Sequence, residues 1–102
     1  MAASQLVDKV IYGAQGEQLG TINEVLADQS GRQYIVVGRG GFLGLGEDQF
    51  IVPMEQLQMR DGNFYAPQLS KQQLRTMQPY RMGDQNYTIV QRQQQVQVPQ
   101  AQ

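Results

Sequence analysis

The sequence predicts an all-β domain: a small, mostly antiparallel barrel or sandwich of five or six strands, with one short C-terminal helix. Three observations carry this. Short β-branched and aromatic runs recur at close spacing, with glycine turns between them. Tyr34-Ile35-Val36-Val37 is apolar without alternation, as a strand covered on both faces requires. Asp61-Gly62 lies between two such runs and supplies the positive φ angles of a two-residue primed hairpin turn.

Taken in order, Ser4 to Lys9 reads as one helical turn or an extended entry, anchored by Leu6 and Val7. Val10-Ile11-Tyr12 is a first strand, and Gly13 and Gly16 frame the turn after it. Glu17-Gln18-Leu19 is a short run ending at Gly20. Thr21 to Asp28 is ambiguous, because Ile22, Val25 and Leu26 also fit helical spacing. The β-branched entry and the Asp28-Gln29-Ser30-Gly31 turn favour a strand, with Arg32 to Gly38 as its hairpin partner.

Gly38 to Pro53 follows, holding five of the eleven glycines before Gln49-Phe50-Ile51-Val52 resumes a strand. Pro53 cannot donate to a ladder and ends it. Met54 to Leu57 makes a single turn, and the Asp-Gly hairpin joins Leu57–Arg60 to Asn63–Ala66. Ser70 to Met77 is the short helix, with Ser70 and Gln73 at capping-box spacing and Pro79 ending it. Asn86 to Val90 offers one edge strand. The Gln-rich remainder is too polar to bury its own backbone, so it is expected to be flexible or ordered by a partner. The expected organisation is a lead over 1–5, a domain over 6–82 and a flexible tail over 83–102.

Composition limits the chemistry. At 102 residues the chain is one domain. A chain of this size buries about 60–70% of the surface its unfolded form exposes, which leaves little for a deep cavity. Eight Lys and Arg stand against nine Asp and Glu, and no basic block is available to neutralise phosphates, so no nucleic-acid partner is expected. His and Cys are both missing, which removes thiolate and imidazole chemistry, disulfides and the usual zinc, haem and iron–sulfur ligands. No cofactor or metal is expected. There is no apolar run of 18 residues, so membrane insertion is not expected either. Twenty residues are Gln and Lys is confined to Lys9 and Lys71, a solvated but weakly charged surface compatible with export. The small residues Ala2-Ala3-Ser4 suit the start of a mature exported chain, so a periplasmic location is the first expectation and a cytoplasmic one the alternative.

Three site chemistries are weighed against structural explanations. The glycines at 38, 40, 41, 44 and 46 match neither a dinucleotide fingerprint nor a P-loop, no Lys-Ser/Thr follows, and the next element is a strand. Glu47 and Asp48 are adjacent and would point to opposite strand faces, and Glu24, Asp28, Glu55 and Asp61 are spaced as turn and surface acids. Ser4, Ser30 and Ser70 sit in a lead, a turn and a cap, with no His to act as base, and capping explains Ser70-Lys71. No catalytic residue is assigned, and the chain is expected not to be an enzyme. Gly40, Gly41, Phe42, Leu43, Gly44, Leu45 and Gly46 form the candidate interaction loop. Its two apolar tip residues either fold back over the barrel end or meet a partner.

Val10-Ile11-Tyr12-Gly13, Gly16 to Ile22, Gly31 to Val37, and above all Gly40-Gly41-Phe42-Leu43-Gly44-Leu45-Gly46-Glu47 through Ile51-Val52-Pro53 resemble the PRC-barrel family. The resemblance runs over roughly Leu6 to Met77 and is nearest to small stand-alone members exported in proteobacteria. It implies a PRC-type β-barrel used as a non-catalytic protein-interaction or assembly module, self-associating or with an unidentified protein partner. Related domains occur in the photosynthetic reaction-centre H subunit and in the ribosome maturation factor RimM. Neither the membrane helix of the former nor the preceding domain of the latter is present in these 102 residues. A ribosome-associated role is therefore the weaker alternative. A different alternative is a small-ligand or anion-binding protein using the backbone N–H groups of Gly38–Gly46. The tail beyond Met82 lies outside the family's pattern.

Overall fold

The computed structural model describes residues 1–40 and 48–100. The strands are β1 (Val10–Tyr12), β2 (Gln18–Asp28), β3 (Gln33–Arg39), β4 (Asp48–Pro53), β5 (Gln58–Arg60), β6 (Asn63–Tyr65), β7 (Gln78–Pro79) and β8 (Tyr87–Ile89). One α-helix, α1 (Lys71–Leu74), stands between β6 and β7, and 3-10 turns cover Ala3–Gln5 and Met54–Gln56. The strands form a single sheet in the order β5-β6-β1-β2-β3-β4-β7, with β8 also paired to β2. Every pairing is antiparallel except that of β1 with β6.

β2 is the axis of the sheet. One of its edges carries β3 from Thr21 to Ala27. The other is divided between β1, near Gly20 and Thr21, and β8, at Leu26 to Asp28. Between Ile22 and Glu24 the register against β3 slips, so Asn23 is the extra residue of a β-bulge. Ile22 and Val25, three apart, would face opposite sides of a regular strand, yet both are fully buried in the same cluster. The bulge is why the apolar spacing of this strand imitates a helix.

Ile35, Val36 and Val37 in β3 are all fully buried. Ile35 and Val37 face the main core with Leu6, Ile11, Phe50, Val52, Leu57 and Leu74. Val36 turns the other way, into a smaller cluster with Leu26, Ile51 and Tyr80. Both faces are covered, as the unbroken apolar run requires. At β5–β6, Asp61 and Gly62 have φ of 52° and 81°, both in the left-handed region, as a primed turn needs. The Ser70 cap forms as expected: the Gln73 amide donates to Ser70 Oγ at 3.1 Å, and the Ser70 amide donates to Gln73 Oε1 at 3.0 Å.

Three expectations need correction. The described sheet has eight strands, not five or six: the edge strand expected over Asn86–Val90 forms as β8, and β7 is added by Gln78 and Pro79, which carry no apolar pattern. It does not close on itself as a barrel, since the end strands β5 and β7 are not bonded to each other among the described residues. The helix is only four residues long and is not C-terminal, because Pro79 serves in a strand and two strands follow α1.

The Gln-rich segment, expected to be flexible, lies against the sheet and the first residues. Val90 and Val96 are buried in the main core. Backbone bonds run from Ala3 N to Gln94 O, from Ser4 N to Arg92 O and from Val96 N to Met1 O. Pro99 O accepts from the Met59 amide, and Gln100 bridges to the same residue on β5. The physical reason is that the segment need not make its own core. It lends two valines to an existing one and satisfies its backbone on open edges.

Candidate functional site

The sequence places the candidate loop where β3 passes to β4. The ladder between these strands is continuous from Tyr34–Pro53 to Arg39–Asp48, so the corner starts from a rigid base. Gly40 has φ of +81°, a conformation that favours glycine, and a Cβ there would meet open space. Gly41, Phe42, Leu43, Gly44, Leu45, Gly46 and Glu47 lie outside the described residues. Of the candidate interaction loop only Gly40 is placed.

Beside this base lies a groove of about 500 Å³, bordered by the start of β2, the end of β3 and the start of α1. Its floor depends on glycine. A Cβ on Gly20 would stand 2.3 Å from the carbonyl oxygen of Gly38, so the two backbones approach too closely for any side chain. Among the described residues Thr21, Asn23 and Gln18 supply neutral polar walls, and Arg39 and Lys71 supply the charge. Asn23 Nδ2 donates to Gln49 Oε1 at 3.0 Å across the corner. Arg39 Nη1 is withdrawn from solvent and has no acceptor among the described residues. Sequence reasoning missed this groove. Arg39 ends a strand and Lys71 begins a helix far along the chain, and only the fold brings them to one cleft.

The acids expected to be structural are used structurally. Asp28 Oδ1 accepts from Ser30 Oγ at 2.6 Å, from the Ser30 amide at 2.9 Å and from the Arg32 amide at 3.0 Å. Its Oδ2 accepts from the Tyr34 hydroxyl at 2.8 Å. The Ser30 hydroxyl first, then that of Tyr34, hold the Asp28 carboxyl down to about 2. Glu55 accepts from Arg32 Nε at 2.8 Å and pairs with its Nη2, which lowers the Glu55 pKa. The Arg32 guanidinium stands 5.3 Å from the Tyr34 ring centre, and Tyr34 meets Tyr87 edge to face at 5.4 Å. Glu24 lies 3.7 Å from Arg92. Asp48 is exposed, and its neighbour Glu47 lies outside the described residues.

The serines are structural too: Ser30 ties the turn and Ser70 caps α1, while the Ser4 amide holds Arg92 O. The aromatic residues of the strands divide between the core and its margin. Phe50 belongs to the core, whereas Tyr34 packs at the margin of the smaller cluster, and half-buried Tyr12 meets Tyr65 at 5.6 Å. Among the described residues no three His, Cys, Asp or Glu side chains gather where a metal ion would fit. Among the same residues no helix is long and apolar enough to cross a membrane.

The outer margin of the sheet shows a different chemistry. Among the described residues β7 pairs on one side only, with Phe50 and Ile51 of β4, and both its residues are exposed. Between β7 and β8, Met82 is 87% exposed, and Ile89 in β8 is 51% exposed. These are the large apolar side chains that the described surface leaves in water.

Comparison with curated proteins found no match to the chain. The family model for the PRC-barrel domain matches residues 1–73, from the 3-10 turn at the N-terminus to the middle of α1. That span takes in β1 to β6 and the corner between β3 and β4, and the chain belongs to the PRC-barrel family.

Proposed function

We propose that this PRC-barrel chain is a non-catalytic interaction module that assembles with a protein partner, a second copy of itself included. The observation that carries the reading is the open sheet. Its end strands β5 and β7 are not bonded to each other among the described residues, and the chain that follows β7 exposes Met82 and Ile89. Unpaired strand edges recruit further strands, and apolar side chains beside them add the burial that a stable contact needs. Phe42 and Leu43, the apolar pair of the glycine-rich loop, are the second proposed contact, on the strength of their sequence alone.

The absence of His and Cys from the sequence supports a non-catalytic role. So does the engagement of Asp28, Glu55 and Glu24 in bonds that hold turns and strands together. Sedimentation velocity across a wide concentration range tests the reading. A concentration-dependent dimer or larger species is expected. It should weaken in Ile89→Lys and in the double variant Phe42→Ala, Leu43→Ala, with melting temperatures held close to that of the parent. A strict monomer at every concentration would overturn self-association.

A further inference from the structure

We propose that the groove between β2, β3 and α1 is a binding site for a compact oxyanion, a phosphate or a carboxylate, held by Arg39 and Lys71. The inference goes beyond the assembly reading and does not depend on it, since a monomer can bind an anion.

Arg39 carries the argument. A guanidinium has five N–H donors in a planar fork and no acceptor. Its Nη1 has left solvent without gaining a protein acceptor among the described residues. Native proteins rarely leave such a donor unmatched, and an absent ion is one of the ordinary explanations. Asp48, its partner across the β3–β4 ladder, is exposed and makes no ion pair with it among the described residues.

The surroundings suit an oxyanion. Among the described residues Arg39 and Lys71 are the charged groups that border the groove, and both are cationic. On a chain whose formal charge is −1, that is a local reversal of sign. Gly20 and Gly38 line the groove beside Arg39 without side chains of their own. A planar guanidinium offers two parallel N–H groups that match the oxygens of phosphate or carboxylate, and the Lys71 ammonium adds a point charge.

The test is an amide-resolved NMR titration of the full chain with sodium phosphate, and separately with sodium acetate, at constant ionic strength. Saturable shifts are expected at Gly20, Gly38, Arg39, Gly40 and Lys71. Saturation by phosphate alone assigns the site to phosphate groups. Saturation by both anions assigns it to oxyanions in general, the carboxylates of an acidic protein segment among them. Arg39→Gln should weaken binding by at least about tenfold, the value of a charge-assisted hydrogen bond. Lys71→Gln, an exposed change that leaves the fold intact, should weaken it about threefold. Arg60→Gln, at the β5–β6 hairpin, should leave it unchanged. Shifts that never saturate, or binding equally strong in both the Arg39 and the Lys71 variants, would overturn the proposal.

Discussion

The centre of the sheet and the C-terminal segment are held in place by different means. β2, β3 and β4 are held by side chains: Ile22, Val25, Ile35, Val37 and Val52 are fully buried and interlock in one core. Residues 78–100 bring few apolar groups, chiefly Tyr80, Val90 and Val96. Their attachment is largely main chain. The Tyr80 amide donates to Gln49 O, that of Val90 to Val25 O, and Pro99 O accepts from Met59. These bonds close edges of β4, β2 and β5 that the first 73 residues leave open, and the family match stops before that cover begins. A low-complexity stretch can thus be ordered without a core of its own, provided a finished sheet offers it unpaired backbone.

The same difference explains what was legible in the sequence. Hydrophobic pattern reports side-chain burial, so β3 is legible from Tyr34 to Val37, as are the anchors Leu6 and Val7. Local chemistry reports turns and caps, so Asp61-Gly62 and Ser70 with Gln73 were legible as well. β2 was only half legible, because the bulge at Asn23 breaks the period of two. β8 was legible as the edge strand over Asn86–Val90, whereas β7 leaves almost no mark, since its order comes from the edge of β4 that it meets. The groove at Arg39 left none, because its two cations are joined only by the fold. The glycine-rich corner was the most conspicuous stretch of the sequence, and of its candidate loop residues only Gly40 falls among those described.

If the centre depends on side-chain burial, truncating one there should have the largest effect. Ile35→Ala removes three buried carbons from β3 and should cost about 3 kcal/mol of unfolding free energy, measured by urea denaturation. A loss below about 1 kcal/mol would show that the centre does not carry the fold in this way.

Val96→Ala sharpens the other half of the comparison. Val96 is 3% exposed at the end of a polar run, and its truncation should cost about 1–2 kcal/mol. The distinctive readout is local. Hydrogen-exchange protection should fall at the amides of Val90 and Val96 while those of Ile35 to Val37 keep theirs. Equal loss in both places would mean that centre and C-terminal segment unfold as one unit. The Ser70 cap is an intermediate case, local and exposed. Ser70→Ala should cost about 1 kcal/mol, and the Gln73 amide should exchange faster.

The smallest expected effect lies at the seam between the two regions. Asp28 ends β2, pairs with Tyr87 of β8, and takes the hydroxyl of Tyr34 from β3, whose ring meets that of Tyr87. Its carboxyl is held at about 2, below the 3.8 of an unperturbed aspartate, by the Ser30 hydroxyl first and that of Tyr34 next. The sign follows from linkage: a depressed carboxylate stabilises the fold at pH above its unfolded value and loses that contribution as pH falls through the folded one. The stability that Asp28 supplies should therefore be complete above pH 4 and decline between pH 4 and pH 2. Because the group is exposed, the change is small. Asp28→Asn should lower stability by a constant amount above pH 4, with the gap to the parent narrowing toward pH 2. Urea denaturation at a series of pH values checks the gap, and exchange at the β8 amides shows where it acts. If the C-terminal segment is attached independently of this carboxylate, β8 protection will be the same in parent and variant. A selective loss at β8 would instead show that one turn carboxylate couples the side-chain-packed centre to the edge-bound segment.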